Sequence, residues 1–154
     1  MTDWGLDGEL RCSVDEKGRV IIPKPFRAAF DDGLHMIRGL SGMCLWLFPL
    51  SSWPAQRARL EAQLTTGAGA VDVMRFLRTG ARETPDRQGR VLLPTHLREH
   101  ADLSFGGSVA VLGMGEWIEL WNAEGWRKRA LDVIERVESN LAAVDLNAMR
   151  GDAP

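Results

Sequence analysis

The alternation of apolar and polar side chains predicts a strand, a turn and a second strand near the start of the chain. Residues 8–14 alternate, as expected for a strand with one buried face. Asp15–Gly18 has the residues of a tight turn, and the hairpin that it closes continues into the apolar run Arg19–Ile22. Pro23 ends that strand because it has no backbone N–H to donate. Further predicted elements are a short helix at Pro25–Phe30 and strands near residues 34–38, 43–48, 108–112 and 116–121.

Three longer helices are predicted between and after these strands. Residues 49–64 form the first, with Ser51 or Ser52 as its N-cap and Pro54 in its first turn. The segment TTGAGA at 65–70 should break the helix, and residues 71–80 should form a second one. The third, from Asn122 to about Val144, is amphipathic, and its apolar positions are Leu131, Ile134, Val137 and Leu141. The final residues RGDAP are expected to be frayed.

One phrase occurs twice, which predicts an internal duplication. DEKGRVIIPKPFR at 15–27 returns as DRQGRVLLPTHLR at 86–98. With only two copies and a long period, the pattern favours a pseudo-twofold α+β domain over a solenoid. We expect a first repeat with its helix at 8–64, a second repeat with the C-terminal helix at 71–145, and a tail at 146–154. The identical pairs are Asp15/Asp86, Gly18/Gly89, Arg19/Arg90, Val20/Val91, Pro23/Pro94 and Arg27/Arg98.

Composition indicates an ordinary cytoplasmic protein, and local charge adds one hint. Hydrophobic residues make up 45% and charged residues 26% of 154, and the net charge is −2. No signal sequence and no membrane span is expected, and the isolated Cys12 and Cys44 are expected to be reduced thiols. Basic side chains nevertheless outnumber acidic ones in both copies of the repeated phrase, and such patches can attract phosphate.

The chemistry of the phrase lies in Asp-x-x-Gly-Arg. Asp15 and Asp86 can shape a turn, and Gly18 and Gly89 can adopt positive φ. Arg and Lys at such a turn can bind phosphates, and Arg can also bind guanine edges through two hydrogen bonds. The plain alternative is a structural turn with an internal Asp–Arg ion pair. The cationic side chains at the two turns are Lys17, Arg19, Arg87 and Arg90.

No catalytic or cofactor-binding set is visible in the sequence. His35, His96 and His100 lack a companion nucleophile or third metal ligand, so we expect surface histidines. The tryptophans are expected in the core or at a subunit interface. The sequence therefore predicts neither an enzyme nor a cofactor or metal site.

Four segments together resemble the MraZ family of bacterial transcriptional regulators, relatives of the AbrB-like swapped-hairpin DNA-binding domains. The resemblance spans roughly residues 8–145, and its paired DxxxR motifs make it more specific than one AbrB-like signature. The segments are DEKGRVIIPKPFR at 15–27, RGLSGMCLWLFPLSSW at 38–53, RFLRTGARETPDRQGRVLLPTHLR at 75–98 and IELWNAEGW at 118–126.

The resemblance implies a fold, an assembly and a function. Family members fold both repeats into one AbrB-type double-split β-barrel and form rings with the DxxxR loops on one face. They bind repeated elements in double-stranded DNA upstream of the division and cell-wall gene cluster, mainly as repressors, in the cytoplasm at the nucleoid. Carried onto this sequence, the DNA-binding positions are Asp15, Lys17, Arg19, Asp86, Arg87, Gln88 and Arg90, with Gly18, Pro23, Gly89 and Pro94 as structural positions.

Two other functions remain open from the sequence. In the first, the protein is an oligomeric scaffold whose Asp–Arg turns form subunit contacts. In the second, it is an antitoxin-like AbrB module that neutralises a partner protein. The absence of a long acidic or apolar tail after residue 145 counts against the antitoxin.

Overall fold

In the computed structural model, which describes residues 5–63 and 67–150, eight strands form two antiparallel sheets. One sheet has six strands, in the order β1-β7-β8-β4-β3-β5, and the other is a ribbon of β2 and β6. The strands are β1 (Leu6–Ser13), β2 (Arg19–Ile21), β3 (Leu34–Arg38), β4 (Leu45–Pro49), β5 (Ala81–Glu83), β6 (Arg90–Leu92), β7 (Ser108–Gly115) and β8 (Ile118–Asn122).

The strand order repeats about a pseudo-twofold axis between β4 and β8. Each half contributes one hairpin, β3–β4 or β7–β8, and the two hairpins meet through β4 and β8. Each half also gives its first strand to the other, because β1 pairs with β7 and β5 pairs with β3. The predicted α+β class and the duplicated architecture are confirmed.

The predicted hairpin between the first two strands is only half right. The turn at Asp15–Gly18 forms, with the Gly18 N–H donating to Asp15 O over 3.1 Å. The strands on either side of it do not pair with each other: β1 bonds to β7, and β2 bonds to β6. Alternation identifies the buried face of a strand but not its partner, and here both partners come from the other repeat.

The three longer predicted helices form close to their predicted positions, as α1 (Trp53–Ala62), α2 (Ala68–Arg78) and α4 (Ala123–Asn140). A short helix that was not predicted, α3 (Thr95–His100), follows β6. The helix predicted at Pro25–Phe30 is a 3-10 helix over Lys24–Phe30. Part of the predicted break at 65–70 is wrong, because α2 already begins at Ala68, after Gly67 at φ +126°; residues 64–66 lie outside the described residues. Ser52 is the N-cap residue of α1, but its hydroxyl donates back to Pro49 O over 3.1 Å.

The main core is built from equivalent positions of the two repeats. Val20 and Val91, paired in the ribbon, are each 1% exposed. Phe26 and Leu97, on the helices that follow the two ribbon strands, are fully enclosed in the same cluster. Leu10 and Cys12 of β1 pack against the cluster, which confirms the predicted buried face of that strand.

A smaller apolar cluster joins α1 and α2 to the sheet through Trp53, Leu77, Ile37 and Phe48. His35 stacks on Trp53 with ring centroids 4.3 Å apart, and its Nε2 atom is buried. Burial, aided by the nearby charges of Arg57 and Arg82, lowers the pKa of His35 to about 4. The expectation of surface histidines is therefore wrong for His35; the Nε2 atom of His100 is buried as well, and His96 alone is exposed.

Of the described residues, those up to Ala123 form one compact unit, and those from Glu124 onward form another. Within the second unit, α4 is followed by 3-10 turns at Leu141–Ala143 and Leu146–Arg150. The apolar positions of α4 are exposed; Leu131, for example, is 66% exposed.

Among the residues that the structure describes, no helix combines the length and the hydropathy that crossing a membrane requires. The residues 151–154 of the predicted frayed tail lie outside that part of the chain.

Leu97→Ala should lower the free energy of unfolding by about 2–5 kcal/mol, because it leaves a cavity in the shared core. Leu40→Ala removes the same atoms from a side chain that is 41% exposed, and should cost less than about 1 kcal/mol. Urea denaturation followed by tryptophan fluorescence measures both. Equal losses would contradict the assignment of Leu97 to the core.

Candidate nucleic-acid interface

Two loops of identical geometry lead into the two strands of the ribbon. We call residues 15–19 the first loop and residues 86–90 the second loop. The backbone closes each one: the Asp15 N–H donates to Arg19 O over 2.8 Å, and the Asp86 N–H donates to Arg90 O over 3.0 Å. Gly18 and Gly89 both have φ +80°, a backbone conformation that glycine adopts at little cost. The repeated sequence therefore encodes a repeated loop.

The aspartate organises the first loop from inside. Oδ1 of Asp15 accepts from the backbone N–H groups of Lys17 and Arg19, each over 2.9 Å. Oδ2 accepts from Arg19 Nε, also over 2.9 Å. One carboxylate thus holds the loop backbone and the arginine side chain together.

The second loop repeats this network almost atom for atom. Oδ1 of Asp86 accepts from the N–H groups of Gln88 and Arg90, each over 2.9 Å, and Oδ2 accepts from Arg90 Nε over 2.7 Å. The hydrogen bond from the backbone N–H of Arg90 is the main reason that the pKa of Asp86 lies below its usual value, and the Arg19 N–H does the same for Asp15. Both aspartates are therefore ionised at neutral pH.

Each arginine keeps one edge of its guanidinium available. Aspartate engages Nε of Arg19 and of Arg90, and the described residues provide no hydrogen bond to their Nη atoms. The arginine side chains are 26% and 33% exposed. Fixed guanidiniums with open Nη groups can bind phosphates or base edges.

The ribbon places both arginines on one face. Its register pairs Arg19 with Leu92 and Ile21 with Arg90, while the valine pair between them faces the core. Arg19 and Arg90 are thus diagonal neighbours, a relation that puts residues about 7–8 Å apart. Ile21 and Leu92 share this outer face and are 45% and 47% exposed. Sequence reasoning missed these two, although the alternation along β2 and β6 places them there.

The remaining predicted positions surround the two arginines. Lys17 lies exposed at the tip of the first loop, and Arg87 and Gln88 lie exposed at the tip of the second. Pro23 and Pro94 immediately precede the helices that follow the ribbon, with nearly equal backbone angles (φ −55° and ψ 140° or 143°). The predicted positions on the paired loops thus have a defined geometry.

Comparison with known proteins identifies relatives over most of the chain. Residues 6–72 and 77–144 match the family described as "MraZ protein, putative antitoxin-like". A protein of Thermus thermophilus named transcriptional regulator MraZ is 41% identical over 130 residues, covering 84% of this chain and 90% of that protein. Its namesake in Heliobacterium modesticaldum is 36% identical over 143 residues, covering 90% and 98% of the two chains. The namesake in Clostridium acetobutylicum is also 36% identical, with 92% of each chain covered.

We expect Asp15 and Asp86 both to titrate below the ordinary aspartate pKa of about 3.9. A carboxyl group whose pKa is lowered by folding stabilises the folded state at pH values above its unfolded pKa. This stabilisation is lost as the pH falls through the folded pKa. In Arg19→Gln, the pKa of Asp15 should rise only part of the way back to the ordinary aspartate value, because the backbone N–H donors remain. Carboxylate carbon NMR titration measures these values. A full return to 3.9 in Arg19→Gln would mean that the side chain alone lowers the pKa.

Proposed function

We propose that this chain, which belongs to the MraZ family, is a sequence-specific DNA-binding regulator of transcription that acts mainly as a repressor. Its targets are repeated elements in double-stranded DNA upstream of its own operon, in the division and cell-wall gene cluster. It works in the cytoplasm at the nucleoid, without a cofactor. The name that its relatives share, transcriptional regulator, supports the general function.

The observation that carries this proposal is the diagonal pair Arg19 and Arg90 on the outer face of the ribbon. Diagonal neighbours lie about 7–8 Å apart, and successive bases of one DNA strand lie about 3.4 Å apart. The backbone positions of the two arginines are therefore spaced like bases about two steps apart. A two-stranded ribbon fits the major groove, where guanine O6 and N7 accept two N–H groups from one arginine.

The other loop residues have complementary roles in this proposal. Lys17 and Arg87, exposed at the loop tips, bind phosphates and set the position of the ribbon on the duplex. Gln88 is suited to the N6 and N7 edge of adenine. Asp15 and Asp86 belong to the DNA-binding loops as the residues that hold the two arginines in position.

Assembly into a ring makes up for the small size of a single ribbon. One recognition module usually buries only about 600–1,000 Å². Several protomers that bind spaced copies of an element raise the effective concentration of each for its site. The exposed apolar positions of α4, together with apolar strands, are the surfaces that we propose hold the ring.

Two observations favour other functions. Ile21 and Leu92, exposed beside the arginines, would also suit a subunit contact, and the protein would then be an oligomeric scaffold without an operator. The family description includes the word antitoxin-like, which suggests a partner protein. Isolation of a stoichiometric complex with a second protein from native cells would favour the antitoxin-like function.

Arg19→Ala should abolish or strongly reduce binding to the DNA upstream of the chain's own operon. A lost direct base contact costs about 1–3 kcal/mol, and the loss recurs in every protomer that engages an element. The fold should remain intact, because a partly exposed ion pair at the surface contributes about 1 kcal/mol or less. Affinity on operator and scrambled DNA, measured by gel shift or fluorescence anisotropy, checks this.

Lys17→Ala is the matched control within the same loop. If Lys17 meets only phosphate, its loss should weaken binding to all sequences alike and reduce the salt dependence by about one unit per contact. Wild-type specificity in Arg19→Ala, or binding of the wild type to all sequences equally, would overturn the proposed operator recognition.

The assembly should survive the loss of the arginine. We expect light scattering to give a mass several times 17.1 kDa for the wild type and the same mass for Arg19→Ala, since the proposed subunit contacts lie elsewhere. A monomeric Arg19→Ala protein would place the arginine in a subunit interface and would favour the scaffold.

A further inference from the structure

The last identical pair of the repeated phrase, Arg27 and Arg98, has no role in the site described so far. Neither lies in a loop: Arg27 belongs to the 3-10 helix of the first repeat, and Arg98 belongs to α3 of the second. Both side chains are half-buried. Each one lies against the glycine of the loop in the opposite repeat, Arg27 against Gly89 and Arg98 against Gly18.

The contact between Arg27 and the second loop is close and is reinforced by the backbone. A methyl group added at Gly89 would lie 2.5 Å from Arg27 Nε and 3.0 Å from its Cζ atom. Arg27 Nε donates to Ile22 O over 3.0 Å, and the N–H of Ile22 donates to Gly89 O over 2.8 Å. Arg27 therefore supports the second loop both by direct contact and through Ile22, the residue whose N–H bonds to the loop.

Arg98 supports the first loop in a looser way. Its Nη1 donates to Leu103 O over 3.2 Å, and its Cζ atom lies 4.2 Å from the centre of the Phe105 ring. A methyl group added at Gly18 would meet Phe105 at 3.5 Å and Arg98 Nε at 3.6 Å, which are ordinary contact distances. The N–H of Leu93 donates to Gly18 O over 2.9 Å, as Ile22 does to Gly89.

We propose that Arg27 and Arg98 are positioning residues, each of which fixes the loop of the other repeat from beneath. The inference rests on the proposed function only for what the loops bind, because the contacts themselves are internal to the chain. Arg27 restricts its loop more tightly than Arg98 does, because the Arg27 guanidinium occupies the space where a side chain at position 89 would lie. Replacement of either arginine should therefore disturb the loop that is distant in sequence and leave the near loop unchanged.

A direct role for Arg27 is the competing explanation. The arginine borders a cavity of about 330 Å³ beside the second loop, and a phosphate could bind there. Lysine separates the two roles, because it keeps the positive charge and loses the planar N–H group that bonds to Ile22 O. The cavity is lined by Arg27, Asp31, Pro85, Asp86, Arg87 and Gly89.

The decisive experiment compares Arg27→Lys with Arg98→Lys in the full chain, without DNA. We expect Arg27→Lys to shift the Gly89 amide resonance and raise the pKa of Asp86 while Gly18 and Asp15 stay as in the wild type. Arg98→Lys should do the reverse. This crossed pattern would not arise from a general loss of stability, which would move both loops or neither. Shifts confined to the near loop, or equal in both loops, would overturn the proposal.

The two glycines provide a second test, and its first comparison does not require an arginine variant to fold. Gly18→Ala and Gly89→Ala impose the same backbone strain, because both residues have φ +80°. Only Gly89→Ala collides with an arginine, so its urea midpoint should be the lower one, and most of the difference should disappear when Arg27→Ala is added. Equal midpoints for the two single variants would mean that Arg27 does not constrain the loop.

DNA binding distinguishes failure of this inference from failure of the proposed function. Arg27→Lys should reduce operator affinity by about fivefold per engaged protomer, the effect of one hydrogen bond, and leave the salt dependence unchanged. Full operator affinity in Arg27→Lys would make Arg27 a charge contact and not a positioning residue. If the wild type does not distinguish operator from scrambled DNA, the proposed function fails, and the crossed NMR pattern still decides the role of the two arginines.

Discussion

Pairing between strands of different repeats is the constraint on which the rest of the structure depends. Among the described residues, β1 bonds only to β7, β5 only to β3, and the ribbon strands only to each other. A strand without its partner leaves a row of unsatisfied backbone groups. Neither repeat can therefore complete its own sheet, and the two loops come to lie on one ribbon only when both repeats are present. The shared core follows from the same exchange, since Val20 and Val91 meet in it as neighbours.

The contents of the loops were predictable from the sequence because their chemistry is local. An aspartate accepts hydrogen bonds from backbone groups two and four residues ahead of it, and a glycine at φ +80° completes the turn. The five residues of a loop are therefore enough to predict its turn. Most strand and helix positions were predictable for the same reason. The start of α2 was missed because Ala68 and Ala70 are good helix formers that were grouped with the glycines beside them.

Strand partners and long-range supports could not be obtained in this way. The side-chain pattern of β2 shows that Val20 is buried and Ile21 exposed, yet it fits pairing with β1 as well as pairing with β6. Arg27 and Arg98 stood out as an identical pair, but nothing near them in sequence indicates that they contact Gly89 and Gly18. His35 was placed wrongly because its partner, Trp53, is 18 residues away and comes to it only in the folded chain.

Fusion of two repeats into one chain frees the two loops to differ. A dimer of a single repeat would carry two identical loops about an exact twofold axis, and such symmetry matches palindromic sites. Here the first loop has Glu16 and Lys17 at its tip, and the second has Arg87 and Gln88 at the same places. The ribbon therefore has a direction, from a tip of mixed charge to a basic one. A surface with a direction binds an asymmetric element in one orientation and not in the opposite one. Copies arranged head to tail would then match elements that all point the same way.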